Sequence, residues 1–132
     1  MTKEKKYKIL LVDDDKFLID MYSLKFRENG FTVETVFGGQ DALEKLKESD
    51  DFDIVLLDLI MPGMDGFEFL ESLRKNNLAK NSAVIVLSNQ GQKSDVDKAE
   101  QFNVDGYIIK ASTIPSEVLA NVVKIADKKF NK

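Results

Sequence analysis

Five apolar runs of strand length, alternating with stretches whose apolar residues recur at helical spacing, constrain this chain more than any other feature. KILLV (8–12), DIVLL (53–57), AVIVL (83–87) and YIIK (107–110) are continuous apolar runs, the pattern of strands buried on both faces. FTVETV (31–36) alternates and reads as half buried, so four central strands and one edge strand are expected. Between them, Phe17, Met21 and Leu24 mark the face of a first helix that Gly30 ends, and Ala42, Leu43 and Leu46 mark a second. Phe67, Leu70 and Leu73, entered through a turn and cap at Asp65 and Gly66, mark a third. Val96, Ala99 and Phe102 give a weak fourth. Val118, Leu119, Val122, Val123 and Ala126 give a fifth, entered at Pro115 after Ile114. This alternation with short connections predicts a doubly wound parallel α/β sheet, with helices on both faces and right-handed crossovers. No repeat, low-complexity segment or second domain interrupts residues 1–132, and frayed ends are expected at about 1–5 and 128–132.

Composition narrows the chemistry. The 132 residues are 43% hydrophobic, enough for one domain with a core. Nineteen Lys and Arg against 23 Asp and Glu leave a net charge of −4, with no basic block beyond KEKKYK, so direct nucleic-acid binding is not expected. The absence of Cys excludes disulfides and thiolate metal sites, and the absence of His removes the usual imidazole ligand and general base. Chemistry here falls to carboxylates, hydroxyls and lysines. No apolar run approaches the roughly 18 residues of a membrane span, and MTKEKKYK leads into a strand rather than a signal peptide. No membrane insertion and a cytoplasmic location are therefore expected.

The polar residues gain meaning from their places on this scaffold. In an open α/β sheet, ligands bind outside the carboxyl ends of the strands. Asp13, Asp14 and Asp15 follow the first strand, Asp58 ends the third, Ser88 follows the fourth and Lys110 ends the fifth, so all share one rim. Carboxylates gathered within roughly 5 Å repel by about 3 kcal/mol per pair at an effective dielectric near 20, which a hard divalent cation relieves. Mg²⁺, or Mn²⁺, suits such a site because it takes carboxylate, water and phosphate oxygens in octahedral geometry. With Asp58 as nucleophile the product is an aspartyl phosphate, its charge met by the metal, Lys110 and the Ser88 hydroxyl.

Each residue also has a plainer reading. The three aspartates can cap the first helix, and Asp15 is assigned to that role. Alone, Ser88 is a turn residue, Lys110 a solvated lysine and Tyr107 a packed strand aromatic. Gly38 and Gly39 lack any surrounding phosphate-loop motif and read as a turn before the second helix. The shared rim, not any single residue, favours a site.

VDDD after the first strand, DLIMPGMDG around Asp58, LSN after the fourth strand and GYIIK at the fifth together resemble the receiver domains of two-component response regulators. The resemblance covers nearly the whole chain, and is closest in kind to single-domain, chemotaxis-regulator-like members. It implies a flavodoxin-like strand order 2-1-3-4-5. It implies Asp58 as phosphoacceptor, Asp13 and Asp14 as the acidic pair holding Mg²⁺, and the Ile60 carbonyl as a further metal ligand. Ser88 takes the switch hydroxyl position, Lys110 pairs with the phosphoryl group, and Tyr107 is the aromatic that moves inward when Ser88 is drawn to the phosphate. The implied donor is a sensor histidine kinase or histidine phosphotransfer protein. The implied output is a downstream protein bound by the fourth helix, fifth strand and fifth helix, from a monomer or a phosphorylation-dependent dimer.

Departures from the family pattern carry their own expectations. Ala111 stands where proline with a cis bond is common, which predicts a reshaped trans loop because a non-proline cis bond costs about 2.5–4 kcal/mol. Asn89 replaces a small residue after Ser88. Ile60 and Gln90 occupy the positions that tune hydrolysis, and apolar Ile60 predicts a longer-lived acyl phosphate. No output domain follows the fifth helix, so signalling through protein contacts is expected unless the chain is a fragment. Two other classes fit less well. A dehalogenase-like phosphohydrolase needs DxDx[TV], which VDDDKF lacks, and an FMN carrier needs a hydroxyl-rich loop where three aspartates stand. A degenerate receiver serving only as a scaffold is the remaining alternative, against which the set Asp13, Asp14, Asp58 and Lys110 speaks.

Overall fold

The computed structural model describes residues 7–110 and 113–131. Ten elements alternate along the chain: β1 (Lys8–Val12), α1 (Lys16–Glu28), β2 (Thr32–Val36), α2 (Gly39–Glu48), β3 (Ile54–Leu57), α3 (Gly66–Lys75), β4 (Ala83–Ser88), α4 (Lys93–Glu100), β5 (Gly106–Ile109) and α5 (Pro115–Phe130). The strands form one parallel sheet in the order β2-β1-β3-β4-β5.

Alternation within the strands divides the core in two. Ile9, Leu11, Ile54, Leu56, Ile85 and Leu87 point to the side covered by α1 and α5. Leu10, Val12, Val55, Leu57 and Val84 point to the side covered by α2 and α3. Both sets are apolar because helices cover both faces, which is why these strands read as unbroken apolar runs. Each such side chain contributes about 1.5–3 kcal/mol on burial. The strand ends are thereby held rigidly, and the rim is a fixed platform.

Two sequence expectations need correction. YIIK suggested a fourth central strand, but β5 is the second edge of the sheet, and only Ile108 in it is fully buried. Short edge strands with one covered side can carry apolar residues without being central. The buried face of α1 also differs from the expected one. Ile19, Tyr22, Ser23 and Phe26 are its buried residues, whereas Phe17 is 75% and Leu24 61% exposed. Both stripes have valid helical spacing, and only docking on the sheet selects between them. The other helices follow their patterns more closely, although Phe102 lies beyond the end of α4 and packs beside the α2–α3 core.

The helix boundaries follow local chemistry. Asp15 caps α1 by accepting from the Leu18 N–H at 3.2 Å, and Asp65 and Glu68 form a reciprocal capping box at α3. Pro115 opens α5 at a position where its missing N–H costs nothing. The last helix runs to Phe130, into the stretch expected to fray, because Phe130 stacks at 6.0 Å against Tyr7 and Lys129 pairs with Asp105 at 3.0 Å. Ala111 lies outside the described residues.

Candidate functional site

Main-chain ladders deliver the two buried carboxylates to one place. The Asp58 N–H donates to Val12 O at 3.0 Å and the Asp13 N–H to Val36 O at 3.3 Å, so both residues continue strand pairing beyond the last strand residue. Asp13 and Asp58 are buried while Asp14 is exposed, and carboxylate oxygens of the three lie within 4.8 Å of one another. Gly66 lets the chain after Asp58 fold back closely. A Cβ there would stand 2.5 Å from the Leu59 Cα and 2.7 Å from the Asp58 carbonyl, and the Gly66 N–H donates to Leu59 O at 2.8 Å. The turn between them contains Gly63 at φ +78°, a left-handed conformation that glycine adopts without strain.

Each carboxylate has one oxygen fixed by main chain and one beside a lysine. Asp58 Oδ1 accepts from the Leu59 N–H at 2.7 Å and the Ile60 N–H at 3.4 Å. Asp13 Oδ1 accepts from the Asp15 N–H at 2.9 Å. Lys110 Nζ donates to Asp13 Oδ2 at 2.8 Å and to Asp58 Oδ2 at 3.3 Å. One cation thus serves two buried anions. Burial pushes the Asp13 carboxyl above its ordinary range, the Asp58 charge adds to this, and hydrogen bonds from Lys110 and Asp15 oppose it. Burial alone would lower the Lys110 ammonium, but the hydrogen bonds and charges of Asp13 and Asp58 outweigh it and raise the group, which stays charged.

Ser88 and Tyr107 meet neither carboxylate among the described hydrogen bonds; both bond to the main chain of Gln90, one at its N–H and the other at its carbonyl. The fully buried Ser88 hydroxyl accepts from the Gln90 N–H at 3.2 Å, and the Tyr107 hydroxyl donates to the Gln90 carbonyl. Burial, with the charges of Asp95 and Asp58, pushes the Tyr107 phenol up to about 12, so it remains a donor at neutral pH. Sequence reading named Gln90 for its side chain, which is exposed; its main chain makes the link. A backbone carbonyl carries no residue signature, so no sequence signal could have found it. The Ile60 side chain is 58% exposed after β3, and Asn89 is exposed in the loop after β4.

The oxygen-only donor set fits a hard divalent cation, because carboxylates this close, without Cys or His, match the preference of Mg²⁺. A matching family model, the response regulator receiver domain, spans residues 9–123. The chain belongs to this family. Receiver domains bind Mg²⁺ at an acidic pocket, and Asp13, Asp14 and Asp58 form that cluster here. The receiver is 34% identical over 110 residues to chemotaxis protein CheY-3 of Vibrio cholerae, covering 83% of this chain and 84% of that one. It is 42% identical over 91 residues to a transcriptional regulatory protein, the CpxR homolog of Haemophilus influenzae, covering 69% of this chain but 37% of the relative. The chain likewise spans 48% of the regulatory protein VanRc of Enterococcus gallinarum, less than two thirds of such regulators. In structure it matches the chemotaxis response regulator CheY4 of Vibrio cholerae with a TM-score of 0.83 and 26% identity, over 92% of this chain and 99% of that one. No helix among the described residues is long and apolar enough to cross a membrane.

Proposed function

We propose that this receiver accepts a phosphoryl group on Asp58 from a phosphohistidine of a partner protein, with Mg²⁺ or Mn²⁺ held by Asp13, Asp14, Asp58 and the Ile60 carbonyl. The observation that carries the reading is the Asp58 carboxylate itself. One oxygen is fixed by the Leu59 amide, the other stands 3.3 Å from Lys110, and two further carboxylates lie within 4.8 Å. Residues 1–132 contain no His, so the donor imidazole lies outside them. When bound, the cation neutralises charge on the attacking carboxylate and on the phosphoryl oxygens.

The chain's own groups do the rest. An Asp58 oxygen attacks phosphorus as the P–N bond breaks, and the electron pair stays on the imidazole nitrogen, which is then protonated. Lys110 exchanges Asp13 for the new phosphoryl group. Ser88 releases the Gln90 N–H and turns its hydroxyl to a phosphoryl oxygen. Because Tyr107 holds the carbonyl of the residue whose N–H bonds to Ser88, movement of Ser88 reaches β5 and the α4–β5–α5 face through the Gln90 main chain, and a downstream partner binds that face.

A protein donor is favoured by the surroundings of the rim. Phe17, Phe37, Ile60 and Ile114 are 75%, 46%, 58% and 59% exposed, and each follows the carboxyl end of a strand. A collar of this kind is covered when a partner brings its imidazole to Asp58. The setting for such a relay is the cytoplasm. Nothing favours a scaffold without phosphoryl chemistry.

The test is intact mass after incubation with acetyl phosphate, with and without Mg²⁺, beside an Asp58→Ala control. A Mg²⁺-dependent, hydroxylamine-labile gain of one phosphoryl group, absent in the control, is expected; no gain in any condition overturns the reading. Ile60→Asn is expected to speed loss of that group several-fold by admitting water, read as the dephosphorylation rate.

A further inference from the structure

Tyr22 is a buried phenol that the mechanism above does not use. It lies on the sheet-facing side of α1, 6% exposed, among the side chains that cover β1 and β3. Together with Asp13, Asp58, Ile19 and the ends of β1, β3 and β4 it lines a cavity of about 10 Å³ directly beneath the acidic rim. That is about the space of one water molecule, and a water settles in such a space when it finds two to four polar partners. Tyr22, Asp13 and Asp58 are the three residues of its lining with polar side chains. Burial raises the phenol above its ordinary value, while the Lys110 charge lowers it and the Asp13 charge raises it.

The rim gives the hydroxyl something to do. Asp13 Oδ1 is held by the Asp15 amide, but Oδ2 is held by Lys110 alone among the described hydrogen bonds. If Lys110 moves to a phosphoryl group on Asp58, Asp13 loses that restraint while still buried. A donor from below keeps the carboxylate turned toward the rim.

We propose that Tyr22 is a positioning residue of the phosphoryl-transfer site, its hydroxyl bridged through one water molecule in the cavity to Asp13 and Asp58 and fixing the carboxylate oxygens that face the metal. The inference rests on the metal-dependent phosphoacceptor reading. Tyr22→Phe keeps the ring and its packing and removes only the bridge.

The experiment titrates the intact protein with Mg²⁺, in wild type, Tyr22→Phe and Tyr22→Leu, and reads the metal dissociation constant beside the melting temperature in chelator. Tyr22→Phe is expected to melt within a few degrees of wild type, yet to bind Mg²⁺ roughly three- to tenfold more weakly. Tyr22→Leu loses both stability and affinity. A Tyr22→Phe protein with wild-type Mg²⁺ affinity overturns the proposal, as does one whose affinity falls only in step with its stability. Acetyl phosphate labelling of the wild type, run in parallel, separates this outcome from failure of the phosphoacceptor reading. A wild type that binds Mg²⁺ but takes no phosphoryl group refutes that reading, whereas the affinity difference alone judges Tyr22.

Discussion

β3 and β5 each end next to a residue of the site, Asp58 and Lys110, but they are held in opposite ways. All four residues of β3 are fully buried, with β1 on one side and β4 on the other. β5 is an edge strand with one fully buried residue, and its neighbour α4 buries only Ala99. Few contacts fasten α4 from outside: Lys98 lies 4.4 Å over the Phe67 ring, and Arg74 donates to the carbonyls of Phe102 and Asn103 just beyond the helix. The proposed nucleophile stands where the fold is over-determined, and the element that would carry its signal stands where opening is easy. A site that must hold charges within ångströms needs the first condition, and a surface that must change needs the second.

The sharpest way to break this contrast is to truncate both regions alike. Leu70→Ala, in the fully buried α3 core, is expected to cost about 2–5 kcal/mol. Val96→Ala, on the half-buried face of α4, is expected to cost less than about 1 kcal/mol. Equal losses in denaturant melts would mean that α4 is as firmly held as the centre.

Gly66→Ala probes the close approach that shapes the loop after Asp58. The added Cβ meets main chain rather than a flexible side chain, so a loss of about 1–3 kcal/mol and slower phosphorylation are expected. Gly38→Ala, where a Cβ meets nothing within 4 Å, is the matched control and is expected to melt near wild type.

Asp13→Asn tests the electrostatic strain at the rigid rim. The folded protein raises the Asp13 pKa, so it binds that proton more tightly than the unfolded chain, and stability from this group falls as pH rises through the folded value. Asparagine carries no such penalty. The variant is expected to be more stable in chelator at pH 7, by an amount on the order of 1 kcal/mol, to lose that advantage in acid below the ordinary carboxylate range, and to bind Mg²⁺ poorly. Thermal melts across pH, with and without Mg²⁺, check each part.

The smallest effect is expected from Tyr107→Phe. It removes one hydrogen bond to Gln90, worth about 1 kcal/mol, and should raise amide exchange in the loop after β4 while Asp58 still accepts phosphoryl groups. Unchanged exchange would show that the Gln90 carbonyl is not a tether.

The sequence alone determined the strands, the winding and the rim. Those follow from residue type and order, since a strand buried on two faces must be apolar throughout and the residues after it must stand at the sheet's carboxyl edge. Asp13, Asp14, Asp58 and Lys110 were therefore legible as neighbours before any contact was known. Which stripe of α1 faces inward was not legible, because Phe17, Met21 and Leu24 match helical spacing as well as Ile19, Tyr22 and Phe26 do. The edge position of β5 was equally hidden from a run of apolar residues. Only the tertiary structure joined Ser88 and Tyr107 to the main chain of one residue, Gln90, and brought Tyr22 into one cavity lining with Asp13 and Asp58. Those links run through main-chain atoms or across distant segments, and the identity of a residue does not encode what lies on its far side.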